Sequence, residues 1–224
     1  MKRNLFKLIA VAVLLLIATI GCKKDQNENV TNVTPNKPVT PEKEWVEVNG
    51  VTWATRNVDK PGTFAAKPEN AGMFYQWNSP IGWSTTYPMI SSNGDTIWNI
   101  QSNSPITIWE KENDPCPTGW RVPTISELAS LYTSDSQWTM VNNVTGRIFG
   151  TGDNTIFLPA AGCRFYPCGG MVEDITEGYY WSNSSENGIC FLGFDSSDHF
   201  TLSIANPPVY QLRSQGFSVR CVAE

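Results

Sequence analysis

Short apolar segments separated by turn-forming residues restrict the fold of this chain more than any other feature. Residues 45–58 alternate apolar and polar side chains around Asn49-Gly50, a dipeptide that is typical of tight hairpin turns. Residues 144–149 and 155–161 flank the sequence Gly-Thr-Gly-Asp-Asn and predict a second hairpin. Further strands are predicted at 72–77, 178–182, 189–194, 200–205 and 216–222. A chain of this pattern favours antiparallel sheets.

One segment carries a helix signal instead. Thr124 is a suitable N-cap residue, and Glu127 lies three positions later, which is the spacing of a capping box. Leu128, Leu131 and Tyr132 then fall on one helical face, which we expect to be buried. The predicted class is therefore α+β, with mostly antiparallel strands, one or two helices and long loops.

The N-terminus has the pattern of a lipoprotein signal peptide. Three cationic residues within the first seven precede an apolar run at 8–20, which is shorter than the roughly 20 residues that a bilayer-spanning helix needs. The segment Thr19-Ile20-Gly21-Cys22 resembles a lipobox, although Thr19 stands where Leu is usual. We therefore predict a signal peptide at 1–21 and lipidation of Cys22. The alternative is an ordinary secretory signal that happens to precede a cysteine.

The residues after Cys22 change character at about residue 44. The range 22–43 contains no aromatic residue, Leu or Ile, and proline recurs at every third position from Pro35 to Pro41, so this range cannot bury enough apolar surface to fold. We predict that it is a flexible tether. The range 44–224 has a length that suits one domain. The predicted location is the outer membrane, where the lipid would hold the domain at the cell surface or at the periplasmic face.

The charge balance argues against nucleic acid as a partner. The full chain has 16 Lys and Arg against 21 Asp and Glu, and removal of the three cationic residues of the signal peptide leaves 13 against 21. Nucleic-acid binding depends on cationic contacts to phosphate. The sequence also lacks a Gly-x-Ser-x-Gly elbow and a P-loop. We therefore expect no catalytic residue, no cofactor and no enzymatic activity.

Cysteine usage fits an exported domain, a class in which disulfides form readily. The cysteines after Cys22 are Cys116, Cys163, Cys168, Cys190 and Cys221. Because their number is odd, at least one thiol lies outside any intramolecular bridge. None of them forms a Cys-x-x-Cys pair, and His199 is the one histidine of the sequence, which argues against a zinc site.

Six motifs follow one another in an order that resembles a known family. They are Trp53-Ala54-Thr55-Arg56-Asn57-Val58, Gly72-Met73-Phe74-Tyr75-Gln76-Trp77, Asp114-Pro115-Cys116-Pro117-Thr118-Gly119-Trp120-Arg121-Val122-Pro123-Thr124, Phe157-Leu158-Pro159-Ala160-Ala161-Gly162, Gly178-Tyr179-Tyr180-Trp181-Ser182 and Gly216-Phe217-Ser218-Val219-Arg220-Cys221-Val222. Over about residues 53–222 the chain resembles the Fibrobacter succinogenes major paralogous domain of Bacteroidetes-type surface lipoproteins. The resemblance implies a C-type-lectin-like fold with close termini and a variable loop face used for binding.

The resemblance also implies a disulfide between Cys116 and Cys221. That bridge would close a loop of over 100 residues, which contributes about 4–5 kcal/mol in the chain-entropy model. The rival pairing joins Cys190 to Cys221 and leaves Cys116 free. One further bridge among Cys163, Cys168 and Cys190 stays open.

The tryptophans and arginines inside these motifs are expected to have structural roles. We predict that the motif tryptophans pack in the core: Trp53, Trp77, Trp120 and Trp181. We predict that the motif arginines pair with backbone carbonyls and carboxylates rather than form a binding cluster: Arg56, Arg121 and Arg220.

The candidate ligand-binding residues lie in 78–112, a segment rich in Ser, Asn, Gly and Pro that predicts a long irregular loop. Its aromatic candidates are Trp83, Tyr87, Trp98 and Trp109. Such side chains stack on sugar rings and anchor protein interfaces. The alternative is that they pin the loop to the core.

Asp195 and Asp198 are the candidate metal ligands, since they place two carboxylates across a tight turn, as calcium would require. An ordinary solvated turn is the alternative. Taken together, the sequence predicts a cell-envelope lipoprotein with a non-catalytic domain that recognises a glycan or a protein. The alternative function is a structural or adhesin subunit of an envelope or fimbria-like assembly.

Overall fold

The computed structural model describes residues 43–99, 108–172, 176–183, 189–205 and 210–224. The predicted signal peptide at 1–21, the lipidation site Cys22 and the tether up to residue 42 lie outside the described residues. Within the described ranges, no helix is both long enough and apolar enough to cross a membrane.

Strands account for most of the regular structure in the described ranges. They are β1 (Trp45–Val48), β2 (Val51–Asn57), β3 (Phe74–Tyr75), β4 (Gly82–Trp83), β5 (Trp120–Arg121), β6 (Ser136–Val141), β7 (Val144–Thr151), β8 (Asn154–Pro159), β9 (Cys163–Phe165), β10 (Gly170–Val172), β11 (Glu177–Trp181), β12 (Ile189–Asp195), β13 (Phe200–Ala205) and β14 (Arg220–Ala223). The helices are α1 (Ile125–Tyr132) and the single turn α2 (Tyr210–Arg213), and a 3-10 turn covers Lys111–Asn113.

All the strand pairs within the sheets are antiparallel, which confirms the α+β class with mostly antiparallel strands. The largest sheet has the order β1-β2-β14-β5, and two three-stranded sheets have the orders β6-β7-β8 and β11-β12-β13. Strands β3-β4 and β9-β10 form two short ribbons. The N-terminal hairpin of the domain thus pairs with its last strand.

The hairpin predicted at Asn49-Gly50 is present. Both residues have positive φ, 49° and 78°, which matches the twist of a two-residue hairpin turn. On β1, Val46 and Val48 are buried while Trp45 is exposed, as alternation predicts. The sequence prediction omitted β6. Asn142 and Asn143 form the turn between β6 and β7, and they also have positive φ, 47° and 66°.

Helix α1 begins as the capping box predicts. The Thr124 hydroxyl accepts a hydrogen bond from the Glu127 N–H, and the Glu127 carboxylate accepts one from the Thr124 N–H. Leu128 and Leu131 are buried. The prediction was wrong for Tyr132, which is 48% exposed because it lies at the last position of the helix and packs only the edge of its ring against Phe200.

The core consists of two clusters of buried side chains. One contains Trp77, Trp181 and Phe217, and the other contains Trp53 and Phe149. Three of the four motif tryptophans are therefore core residues, as predicted. The fourth, Trp120, is only half-buried and packs against the edge of the first cluster.

A buried arginine joins three strands of the interior. The Arg220 guanidinium donates to the Asn57 side-chain oxygen at 2.8 Å and to the carbonyls of Ala54 and Phe157 at 3.2 and 3.1 Å. Burial lowers the pKa of Arg220 to about 10, although nearby Tyr180 opposes the change. The guanidinium stays protonated at neutral pH and links β14 to β2 and β8, as predicted for a motif arginine.

Cys116 and Cys221 form a disulfide, with their Cα atoms 6.1 Å apart, in agreement with the pairing that the resemblance implies. Cys163, Cys168 and Cys190 are not disulfide-bonded. The structure therefore contains neither the rival pairing of Cys190 with Cys221 nor a further bridge among the remaining three cysteines.

We expect replacement of Cys116 by Ser to lower the free energy of unfolding by about 2–5 kcal/mol, because the cross-link restricts the unfolded chain. Denaturant titration of the oxidised protein measures this change. The matched control is Cys168→Ser, an exposed and unbridged cysteine, which should change stability by less than about 0.5 kcal/mol. Equal stability of Cys116→Ser and the parent, or a non-reduced peptide map that links Cys190 to Cys221, would contradict the pairing.

Candidate functional site

A cleft of about 500 Å³ lies where the segment leading into β5 meets the end of β14. It is lined by Trp109, Lys111, Asp114, Cys116, Pro117, Thr118, Gly119, Trp120, Arg121, Asn183 and Glu224. Its volume is typical of sites for small ligands. Because most of the lining comes from one motif, 114–121, the shape of the cleft depends on how that motif is held.

The carboxylate of Asp114 fixes the backbone of the 114–121 motif. One carboxylate oxygen accepts a hydrogen bond from the Cys116 N–H at 2.9 Å, and the other accepts one from the Val122 N–H at 3.0 Å. Burial raises the pKa of Asp114 above its ordinary value, and these two hydrogen bonds limit the rise. Both carboxylate oxygens are thus engaged in fixing the backbone of the cleft wall.

The outer turn of the motif is fixed by its own backbone. Gly119 has a φ of 84°, a conformation that glycine adopts without strain, and the Trp120 N–H donates to the Pro117 carbonyl at 2.9 Å. The Glu224 N–H donates to the Gly119 carbonyl at 3.1 Å. Together with the Cys116–Cys221 disulfide, these bonds tie the turn to β14 and to Glu224, the residue after it.

Two tryptophans contribute to the cleft in different ways. Trp109 is only 5% exposed; its indole N–H donates to the Asn113 carbonyl and its backbone N–H to the Asn183 carbonyl. Trp120 is half-buried, and Phe64 meets its ring edge-on with 5.7 Å between centroids. Trp109 is therefore a buried part of the lining, and Trp120 is the more accessible of the two tryptophans.

The two cations that line the cleft, Lys111 and Arg121, each have a carboxylate partner. The Lys111 ammonium lies 3.4 Å from the Glu224 carboxylate. Arg121 donates two hydrogen bonds to Glu127, at 2.6 and 2.8 Å. This contact is the main reason that the pKa of Arg121 is raised. Each cation that lines the cleft therefore has a carboxylate partner, whereas the Asp114 carboxylate is held by backbone N–H groups.

Trp83 and Trp98, two of the predicted ligand-binding residues, are buried. Trp83 is 3% exposed and Trp98 is 8% exposed, with 5.0 Å between their ring centroids. Glycines at 169 and 216 leave room for the Trp98 ring, since a Cβ at either position would lie within about 3 Å of it. The two rings pin the loop to the core, which was the alternative interpretation.

Tyr87 is exposed, as a ligand-binding residue must be, but it does not line the cleft. It is 63% exposed, its hydroxyl accepts a hydrogen bond from the Met171 N–H, and its ring faces the Arg164 guanidinium at 5.8 Å. Arg164 is buried and donates to the carbonyls of Ser84, Thr86 and Gly169. Of the four aromatic candidates, only Trp109 lines the cleft.

The carboxylates of the calcium candidates Asp195 and Asp198 each contact other protein groups. One oxygen of Asp195 accepts hydrogen bonds from the backbone N–H groups of Ser197 and His199, and the other lies 3.0 Å from the His199 ring. The Asp198 carboxylate forms an ion pair with Arg147. The described residues contain no cluster of three or more side chains suited to a metal ion.

Sequence reasoning missed most of the cleft. Lys111, Thr118, Asn183 and Glu224 come from separate parts of the chain and carry no motif of their own. The motif Cys116-Pro117-Thr118-Gly119-Trp120-Arg121 was recognised, but its residues were interpreted as structural. The sequence signal for a cleft wall was the turn dipeptide Gly119-Trp120, in which a glycine stands beside a tryptophan.

Comparison of the chain with protein-family models, with curated proteins and with solved structures found no match.

Removal of the Glu127 side chain should destabilise the wall of the cleft. Burial raises the pKa of Glu127, but the bonds from Arg121 and Thr124 outweigh it and leave the pKa below the ordinary value of 4.5. Glu127→Ala should lower the free energy of unfolding by about 1–2 kcal/mol at neutral pH, through loss of the cap and of a partly exposed ion pair.

Because the folded-state pKa of Glu127 is lowered, its stabilising contribution is present above pH 4.5 and is lost as the pH falls through the folded-state value. The difference between Glu127→Ala and the parent should therefore shrink in acid, as denaturant titrations at several pH values would show. Glu112→Ala, at an exposed acidic residue of the 3-10 turn, is the control and should have little effect. A difference that is independent of pH would contradict this role.

Proposed function

We propose that the chain is a cell-envelope lipoprotein whose domain at 44–224 has a C-type-lectin-like fold and binds a glycan or a protein without catalysing a reaction. The observation that carries the proposal is the cleft between the 114–121 motif and the end of β14. It combines a half-buried tryptophan, Trp120, with neutral polar groups on a disulfide-linked scaffold. This is the composition of a binding site.

The strand order supports the lectin-like part of the proposal. β14 lies between β2 and β5, so the first and last strands of the domain belong to one sheet. Close termini are what the resemblance to the Fibrobacter succinogenes major paralogous domain implies. The Cys116–Cys221 disulfide, at the same place, is the bridge that the resemblance implies as well.

The state of the cleft residues supports binding rather than catalysis. Asp114 uses both oxygens on backbone N–H groups, Cys116 is in a disulfide, and Arg121 is paired with Glu127. A nucleophile or general base needs an available lone pair next to the substrate. Cys116 has no free thiolate, Arg121 has no lone pair to offer, and the position of the Asp114 carboxylate is fixed by the backbone of the protein.

The N-terminal features supply the localisation part of the proposal. The signal peptide at 1–21 and the Gly21-Cys22 sequence favour a lipid anchor in the outer membrane, and the tether at 22–43 would hold the domain away from it. The membrane partner is thus the lipid on Cys22. The acidic composition of the mature chain disfavours nucleic acid as a second partner.

The alternative function, a structural or adhesin subunit of an envelope or fimbria-like assembly, is favoured by one observation. Cys168 is exposed and is not disulfide-bonded, so its thiol is accessible to a neighbouring subunit. Crosslinking in intact cells separates the two functions, because a subunit would give a discrete and abundant complex.

Replacement of Cys22 by Ala should abolish incorporation of radiolabelled palmitate and release the chain from the membrane fraction. Cys168→Ala keeps the anchor and serves as the control, since its thiol lies in the domain. Protease treatment of intact cells then shows on which side the domain lies. Palmitate labelling that persists in Cys22→Ala would disprove this lipid site.

Binding should depend on the mouth of the cleft. In glycan arrays and pull-downs with the full-length protein, Thr118→Arg should abolish binding, because Thr118 is exposed in the lining and a longer side chain would obstruct it. Thr151→Arg, at the exposed last residue of β7, should bind as the parent does. If no glycan or protein binds at micromolar concentration, the proposal of a binding domain is wrong.

A further inference from the structure

We infer that the ligand of the 109–121 cleft is an uncharged saccharide that stacks on Trp120 and hydrogen-bonds to Thr118, Asn183 and the indole N–H of Trp120. The inference rests on the proposed function, in that it takes this cleft as the binding site. It adds the chemical class of the ligand and the residues that select it.

The charges in the cleft disfavour an ionic ligand. Lys111 is paired with Glu224, and Arg121 with Glu127. Asp114 has both oxygens on backbone N–H groups. An anionic ligand would have to break an existing ion pair and would lie beside the carboxylates of Asp114 and Glu224, and a cationic ligand would have to displace Lys111 from Glu224. A neutral ligand has no such cost.

The backbone of the cleft also disfavours an extended peptide. Strand addition needs a row of available N–H and C=O groups. Here the N–H groups of Cys116 and Val122 donate to Asp114. The Trp120 N–H donates to the Pro117 carbonyl, and the Gly119 carbonyl accepts from Glu224. The edge that a peptide would pair with is therefore already used.

The groups that remain are neutral and suit hydroxyls. No hydrogen bond within the described part of the chain engages the Thr118 hydroxyl, the Asn183 side-chain amide or the Trp120 indole N–H. A hydroxyl and an amide each donate and accept, and an indole N–H donates. A sugar ring offers several hydroxyls that both donate and accept, so it can satisfy all three groups at once.

The Trp120 ring supplies the apolar contact that a sugar ring also needs. Phe64 and the first core cluster hold the indole on its buried side, while the residue as a whole is only half-buried. One face of a pyranose ring consists of C–H groups, which pack on an aromatic surface. A ring that is held in place before binding loses little entropy when a ligand stacks on it.

The test uses the full-length protein and immobilised oligosaccharides of defined charge: uncharged β-1,4-glucan, xylan and mannan, anionic polygalacturonate, and cationic chitosan. We expect binding to one or more of the uncharged glycans, with an affinity that changes little between about 0.1 and 1 M salt, since no ion pair forms. Trp120→Ala should weaken binding about tenfold, which corresponds to one aromatic contact.

Trp120→Phe keeps an aromatic face and should bind within about threefold of the parent. Asn183→Ala should weaken binding about fivefold or more, as expected for one lost hydrogen bond. Trp45→Ala is the matched control, since Trp45 is 55% exposed on β1 and does not line the cleft. If Trp120→Ala does not fold, as judged by its unfolding transition, Asn183→Ala and Thr118→Arg decide the result.

Two outcomes would overturn the ligand class while leaving the proposed function in place. One is binding only to a charged glycan, weakened by salt. The other is capture of a protein, blocked by Thr118→Arg, without binding to any uncharged glycan. Glycan binding that Trp120→Ala and Asn183→Ala leave unchanged would place the ligand elsewhere and overturn the inference. If neither glycan nor protein binds, the proposed function fails together with it.

Discussion

The position of β14 between β2 and β5 is the constraint on which the rest of the domain depends. Its backbone pairs with Trp53 and Asn57 on one side and with β5 on the other. Cys221 fixes the strand covalently, and Arg220 fixes it through carbonyls from two other strands. The cleft wall leads into β5, which pairs with β14, so its geometry is set by a strand about 100 residues further along the chain.

The domain stabilises two buried cations in the same way. Arg220 and Arg164 are both inaccessible to solvent, and backbone carbonyls, rather than carboxylates, accept most of their hydrogen bonds. Burial lowers the pKa of each. A guanidinium with five donors in a fixed plane can hold several segments at once. Arg220 thereby joins strands, while Arg164 anchors the irregular loop that contains Tyr87.

Features that depend on neighbours in the sequence could be predicted, and those that depend on distant residues could not. The Asn49-Gly50 turn and the Thr124 capping box are local, and both are present. The burial of Trp98 depends on Gly169 and Gly216, which lie more than 70 positions further along the chain. A side chain at either position would collide with the indole ring. The cleft combines segments from four parts of the chain, so no single motif could indicate it.

The central place of β14 has a consequence for the order of events during synthesis. Arg220 and Asn57, which bond to each other, are 163 positions apart, and contacts of such separation form late. Until residues 216–223 have been made, β2 lacks its inner neighbour and Cys116 lacks its partner thiol. A ribosome-bound chain therefore carries an incomplete sheet until these residues have emerged. Under the proposed export, this delay would keep the chain unfolded, and an unfolded chain can be threaded through a membrane pore.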